Sequence, residues 1–256
     1  MSAFTGVVVY EYRMAVRRWG VWAAFLVTGI PFLVNAVLSG GEGAAPGMPI
    51  RQVAGSLAVS VNLLMPVVGG IAMADRLARD QRLGVRELLS STPLSRPAYV
   101  LGKYVGVVLA TVTPVLALLM VLAVVLVVHG APPALIPATL LAFVAIDLPT
   151  YVFIGAFSLA CPVVLPVRVY QVLFTGYWFW GNFINPKAIP SISDTLLNAS
   201  GRYAASAFFL SDFGYALNEP GRTALEAGLN VAVLAACAAA ALVALSIYLA
   251  RQERLA

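Results

Sequence analysis

Six long apolar runs, separated by polar segments, constrain this chain more than any other feature of its sequence. About 20 apolar residues in helical form cross the hydrocarbon core of a bilayer. The runs are 20–39, 52–74, 101–128, 134–160, 168–185 and 224–250. The chain is 61% hydrophobic and 11% charged, whereas soluble domains carry roughly 25% charged residues. The sequence therefore predicts an all-α membrane protein with six transmembrane helices.

The basic residues lie mostly on one side of this predicted topology. Six crossings place both termini on the same side, and twelve of the 16 Lys and Arg residues fall there. They are Arg13, Arg17, Arg18, Arg76, Arg79, Arg82, Arg86, Arg96, Lys103, Arg168, Arg251 and Arg254. Cytoplasmic segments carry the excess of basic residues, so both termini are predicted to be cytoplasmic. Because the bases flank apolar runs, the expected partner of this charge is membrane lipid and not nucleic acid.

Metal, redox and catalytic sites are not predicted. The two cysteines, Cys161 and Cys237, lie in or at the edge of apolar runs, and His129 is the single histidine. These residues cannot assemble the three or four ligands that a protein metal site needs. No nucleophile with a neighbouring base is visible in the apolar runs. The sequence therefore disfavours an intramembrane enzyme and predicts no cofactor on this chain.

Two further segments are predicted outside the spans. Residues about 5–19 mix bases with aromatic residues, which is typical of a helix lying at the membrane surface. Residues about 186–222 are too polar to cross the bilayer and too aromatic for a free linker, so they are expected to form an outer cap, and two interpretations of it stay open: a surface cap and a partly re-entrant one. The aromatic run 177–180, at the end of the fifth predicted span, is expected at the membrane interface.

A basic loop, residues 75–103, holds six of the 16 Lys and Arg residues. At 100° per residue its first part forms an amphipathic helix. Leu77, Ala78, Gly84, Val85, Leu88 and Leu89 lie on the apolar arc, and Arg76, Arg79, Asp80, Arg82, Arg86 and Glu87 lie on the polar arc. Two interpretations stay open: a loop that fixes topology and contacts lipid headgroups, and a surface that binds a protein partner. The acids favour the second, since a purely topological loop needs only bases.

The basic loop also carries a resemblance to a known family. It contains Gly84, then Glu-Leu-Leu at 87–89, Ser-Thr-Pro at 91–93, Arg96, and Leu-Gly-Lys at 101–103. About 20 residues with this order resemble the permease subunits of type-2 ATP-binding-cassette (ABC) exporters. The layout of an N-terminal amphipathic segment and six spans extends the resemblance loosely over the chain.

The resemblance implies a half-transporter whose basic loop rests on a separate ATPase subunit. The chain has no Gly-x-x-x-x-Gly-Lys-Ser/Thr phosphate loop, so ATP and Mg²⁺ are expected on that partner. The residues implied to contact the ATPase subunit are Arg79, Asp80, Arg82, Leu83, Gly84, Arg86, Glu87 and Leu88. A second permease subunit, identical or paralogous, and a bacterial inner (plasma) membrane location are implied as well.

Asp147 is the one acidic residue deep within a predicted span. An unpaired carboxylate there costs several kcal/mol, so it is expected to face the helix bundle. It is interpreted either as a structural hydrogen-bonding group or as part of a translocation path, with Asn35 and Asn62 as weaker candidates for the path. A proton-coupled secondary transporter or channel using Asp147 is the alternative function, although no internal repeat of the kind common in such transporters is visible.

Overall fold

The structure, a computed structural model, describes residues 3–38, 48–82, 95–212 and 221–254, and every regular element in these ranges is helical. The α-helices are α1 (Ala3–Val16), α2 (Trp19–Leu38), α3 (Ile50–Met73), α4 (Arg76–Arg82), α5 (Arg96–Val128), α6 (Leu135–Ala142), α7 (Leu148–Ala160), α8 (Val167–Phe183), α9 (Arg202–Phe209) and α10 (Ala224–Arg254). A π-helix, Phe143–Asp147, joins α6 to α7, and a 3-10 turn, Cys161–Val163, follows α7.

Five helical units in the described part of the chain are long and apolar enough to cross a membrane. They are Trp19–Leu38, Ile50–Asp80, Arg96–Val128, Leu135–Val163 and Ala224–Gln252. Each coincides with one of the predicted apolar runs, because an uninterrupted apolar sequence satisfies its backbone hydrogen bonds in lipid only as a helix. The prediction of an all-α membrane protein is confirmed.

The remaining predicted span, 168–185, forms the shorter helix α8. Its 17 residues extend about 25 Å at 1.5 Å per residue, less than the roughly 30 Å of the hydrocarbon core. It runs antiparallel to α3: the Gln171 side chain donates to the Ile71 carbonyl, and Trp178 Nε1 donates to the Leu63 carbonyl at 2.9 Å. Helix α8 by itself is therefore too short to cross the hydrocarbon core.

Trp178 departs from its sequence-based prediction. The aromatic run was expected at the membrane interface, but Trp178 is completely buried between α8 and α3. Its indole N–H finds a carbonyl partner at Leu63, so burial leaves no polar group unsatisfied. Gly70 of α3 lets α8 approach closely, because an added Cβ there would overlap the ring of Phe174. Packing against α3 thus buries this tryptophan inside the protein, so its ring does not face lipid.

The helices differ greatly in how far the rest of the chain covers them. In Ile50–Asp80 and in Leu135–Val163, just over half of an 18-residue apolar stretch is buried. The buried share of the corresponding stretch is only 17% in α2 and 22% in α10. The units around α3, α5 and α7 therefore form the core. Helices α2 and α10 lie at its edge, and the described part of the chain leaves most of their surface uncovered.

A non-helical stretch, residues 184–201, is inserted among the helices, and we call it the inserted segment. Asn62 lies at the middle of α3, and its Nδ2 donates to the Ser200 carbonyl at 2.8 Å. The Ala199 N–H donates to Asn182 Oδ1 at 2.6 Å, and Asn230 Nδ2 donates to the Asn198 carbonyl at 2.9 Å. Asparagine side chains from three helices thus form hydrogen bonds with backbone groups of the inserted segment. These backbone groups have no partner in a helix or strand of their own. Much of the predicted cap is inserted into the bundle in this way.

Candidate functional site

Helix α1 is packed directly against the first half of α5. Gly102 and Gly106, four residues apart, remove side chains from the contacting face of α5. An added Cβ would lie 3.0 Å from Val7 Cγ1 at Gly102 and 2.7 Å from the Val8 carbonyl oxygen at Gly106. Small residues at this spacing let two helix backbones approach closely. The N-terminal helix is therefore attached to a membrane-spanning helix by its own packing.

Lys103, between these glycines, joins three elements of the fold. Its Nζ lies 2.5 Å from Glu11 Oε1 of α1 and 2.7 Å from Asp80 Oδ2 of α4. The Tyr99 hydroxyl, one turn earlier on α5, donates to the same Asp80 oxygen. We call these four residues the Lys103 cluster. The side chain of Lys103 is 1% exposed and that of Glu11 is 5% exposed, so water screens the pair very little.

The Lys103 cluster contains one cation between two carboxylates. Such a group is strongly interdependent, because removing one partner of a buried ion pair leaves an uncompensated charge and costs about 3–5 kcal/mol. Asp80 is less enclosed, with 16% of its side chain exposed. The arrangement therefore fastens the start of the basic loop to α1 and α5.

A second ion pair lies beside the cluster, and it corrects one sequence-based assignment. Asp75 accepts from Arg18 at 3.5 Å, and Arg76 Nε lies 3.9 Å from the same carboxylate. Arg76 was placed on the polar, exposed arc of the loop helix, but it is only 3% exposed. The prediction assumed a long helix with one free face. In the structure α4 has seven residues and packs against the turn Cys161–Val163.

The structure places the predicted ATPase-contact residues in different surroundings. Arg79 is exposed, and Asp80 belongs to the Lys103 cluster. Arg82 is the last residue of α4. Leu83, Gly84, Arg86, Glu87 and Leu88 lie outside the described residues. Leu77 and Ala78 are buried, as the apolar arc predicts.

The predicted path residues do not share one site. Asn35 lines a cavity of about 450 Å³ between α2, α3 and α5, together with Ser56 and Ser60. The other described residues around this cavity are apolar: Pro31, Phe32, Ala36, Val53, Leu57, Val61, Leu63, Leu122 and Leu126. Asn62 and Asp147 are not among its lining residues, and both are completely buried. The cavity suits an uncharged ligand with an apolar body, since an ion there would meet no opposite charge from the described lining.

Glu11 and Lys103 were not recognised as a pair from the sequence. The signal was present, because a lone lysine between two glycines in an apolar helix needs an acidic partner. Glu11 is the one acidic residue of α1. The sequence does not reveal that α1 crosses α5. This crossing brings two residues that are 92 positions apart into contact.

These features define a class of protein. The chain is a multi-pass helical membrane protein whose basic loop is anchored to two helices by a buried ion-pair cluster. Residues 53–248 match the family model described as ABC-2 family transporter protein. The match covers most of the chain, which therefore belongs to the ABC-2 transporter family, and the resemblance noted in the basic loop is confirmed. A search of curated proteins found no match.

Proposed function

We propose that this chain is the membrane-spanning permease subunit of an ATP-driven exporter. A separate ABC ATPase subunit would bind ATP and Mg²⁺, and a second permease subunit, identical or paralogous, would complete the translocation path. The observation that carries the proposal is the Lys103 cluster in a chain of this family. It ties the loop that resembles an ATPase-contact surface to α1 and α5, so a force on the loop reaches the membrane helices.

The proposed topology has six crossings, with both termini in the cytoplasm of a bacterial cell. Helix α8 would make the fifth crossing together with the inserted segment. Two observations support this. The start of α8 lies beside Ile71, near the end of α3, and Trp178 lies beside Leu63, farther along the same helix. The inserted segment then fills the space beyond α8, where Ala199 bonds to Asn182.

In the proposed mechanism, the ATPase subunit moves the basic loop, and the Lys103 cluster carries that movement inward. Charge-assisted hydrogen bonds are short and directional, so α4, α1 and the start of α5 would move together. The contact itself would use Arg79, Asp80 and Arg82 of α4, followed by Leu83, Gly84, Arg86, Glu87 and Leu88.

The proposed translocation path runs along α2 and α3. The cavity that contains Asn35 opens beside α2, a helix with a largely uncovered surface. A second permease subunit packed on that surface would enclose the cavity. Asn62 and Asp147 stay candidates for the path, although their complete burial requires the bundle to open before they could contact a substrate.

The contact surface predicts that Arg79→Glu weakens binding of the ATPase subunit. Arg79 is exposed on α4, so reversing its charge should leave the fold intact and place a like charge against an acidic partner surface. An effect of about tenfold on the dissociation constant is expected for one charge at the rim of an interface. The measurement is co-purification of an ABC ATPase subunit, followed by its titration with the purified variants.

Arg251→Glu is the matched control, because Arg251 is an exposed arginine near the end of α10, outside the basic loop. It should bind like the wild type. Glu87→Arg, in the part of the loop outside the described residues, should also weaken binding, because it reverses a charge that a basic group of the partner is expected to pair with. Equal binding by all of these variants would show that the basic loop does not contact the ATPase subunit and only fixes the membrane topology. ATP hydrolysis by the purified chain alone, free of contaminating ATPase, would refute the proposal altogether.

A further inference from the structure

Asp147 stands apart from the other aspartates of this chain. All five aspartates lie in the described residues, and four of them form ion pairs with a lysine or arginine. Those four are Asp75, Asp80, Asp194 and Asp212. Asp147 is completely buried, and neither of its carboxyl oxygens has a hydrogen-bond or ion-pair partner among the described residues.

The helices around Asp147 supply no counter-charge. It is the last residue of the π-helix, which packs against α3, α6, α7 and α9. The titratable or charged residues on those four helices are Arg51, Tyr151, Arg202 and Tyr203. Arg51 is exposed in the first turn of α3, and Arg202 lies 3.4 Å from Asp194 and 3.7 Å from Asp212. A carboxylate at Asp147 would therefore be a buried and uncompensated charge.

Two residues around Asp147 also have a polar atom without a partner in the described part of the chain. Asn62 Oδ1 has no partner among the described residues, although its Nδ2 donates to Thr150 Oγ1 at 2.9 Å. Tyr151, one turn after Asp147, also has an unpartnered hydroxyl oxygen in the described part of the chain. Thr150 follows Asp147 by three residues and lies on the same helix face. A protonated carboxyl group is a donor of the kind that either of these oxygens can accept.

We propose that Asp147 is a proton-binding site in the membrane and that it carries its proton as a neutral carboxylic acid. Adding one proton to one carboxyl oxygen removes the uncompensated charge and creates a donor in the same step. An alkali cation would instead need several oxygen ligands converging on one point. The site also lies at a π-helix, an element that frequently marks functional positions. The inference does not depend on the proposed exporter function.

The inserted segment closes this site. Thr150 Oγ1 donates to the Ala199 carbonyl at 2.7 Å, and Asn62 Nδ2 donates to the Ser200 carbonyl at 2.8 Å. Gly201 packs so tightly that an added Cβ would lie 2.7 Å from the Ile146 carbonyl oxygen. The segment therefore contacts the helix on both sides of Asp147. Exchange of the proton with water requires these contacts to open.

Infrared difference spectroscopy of the protein in lipid bilayers tests the protonation state. At neutral pH, the wild type minus Asp147→Asn spectrum should contain the carbonyl stretching band of a protonated carboxylic acid. Asparagine keeps the shape of the side chain and a neutral state, so the variant is expected to fold. Isotopic labelling of aspartate with ¹³C should shift the same band in the wild type, which identifies the residue type even if the variant expresses poorly.

Two results would overturn the proton site. A carboxylate band in the difference spectrum, without an acid band, would mean that Asp147 is ionised. A carboxylate band whose frequency depends on sodium or potassium would mean that an alkali cation neutralises it. An acid band that is insensitive to these salts is the expected outcome.

The closing role of the inserted segment has its own test. Thr150→Val keeps the side-chain shape but removes the bonds to Ala199 and Asn62, together with one within its own helix to the Ile146 carbonyl. Proton exchange at Asp147, followed by the shift of the acid band after transfer to D₂O, should become at least about tenfold faster when these buried hydrogen bonds are lost. Thr139→Val is the matched control, since Thr139 is equally buried and donates only within its own helix, to Leu135 at 2.8 Å. Equal exchange rates in the two variants would contradict a closing role for the segment.

Discussion

Replacing Lys103 with methionine should lower the free energy of unfolding by about 3–5 kcal/mol. Methionine fills a similar volume, so the change removes the ammonium group and little packing. The carboxylates of Glu11 and Asp80, at 2.5 and 2.7 Å from Lys103 Nζ, then face each other without their shared cation. We expect α1 to detach from α5 and binding of the ATPase subunit to be lost. Reversible unfolding in mixed micelles measures the first effect, and co-purification measures the second.

A double-mutant cycle separates the ion pair from general damage. Glu11→Gln alone should also destabilise, and Glu11→Gln combined with Lys103→Met should cost less than the sum of the two single changes. Arg251→Met is the control, because it removes an exposed basic residue from the end of α10 and should change stability by less than about 0.5 kcal/mol. Additive effects of Glu11→Gln and Lys103→Met would show that the two side chains do not interact.

Gly201→Ala should destabilise the protein by about 2–4 kcal/mol through two separate effects. Gly201 has a φ of +76°, a left-handed conformation that costs a non-glycine residue about 1–2 kcal/mol. The new Cβ would also lie 2.6 Å from Ile146 Cγ2 and 2.7 Å from the Ile146 carbonyl oxygen. Because a backbone oxygen cannot rotate away as a side chain can, the inserted segment must shift. The measurement is again unfolding in mixed micelles.

Gly130→Ala provides the matched control for this prediction. Gly130 also has a positive φ, +106°, but an added Cβ there would meet no atom within 4 Å. It should show the backbone strain without the steric overlap, and so a clearly smaller loss of stability than Gly201→Ala. Equal losses in the two variants would mean that the contact between the inserted segment and Ile146 contributes nothing measurable.

Much of the fold could be predicted from the sequence because the bilayer imposes simple requirements. An apolar run of sufficient length must be helical in lipid, and five of the six predicted runs became long apolar helices. The buried Leu77 and Ala78 follow from helical periodicity in the same direct way. Asp147 faces the interior, as expected for a carboxyl group that lipid would solvate poorly.

The exceptions share a physical cause, which is coverage by a distant part of the chain. Trp178 was assigned to the interface, but α3 covers it and accepts its N–H. Arg76 was assigned to an exposed arc, but α4 is short and lies against a turn 85 residues later in the chain, starting at Cys161. Helical periodicity shows which residues share a face. It carries no information about what that face contacts.

The sequence by itself determined the class of the molecule, the positions of its long helices and the loop that resembles an ATPase-contact surface. These depend on local quantities: hydropathy over about 20 residues, the excess of bases on one side, and a motif of about 20 residues. Only the tertiary structure decided that Glu11, Asp80 and Lys103 form one buried cluster and that the inserted segment closes over Asp147. Both arrangements join residues that are far apart in the chain. Their geometry depends on the angle and distance at which helices cross, which glycines such as Gly106 and Gly201 permit but do not specify.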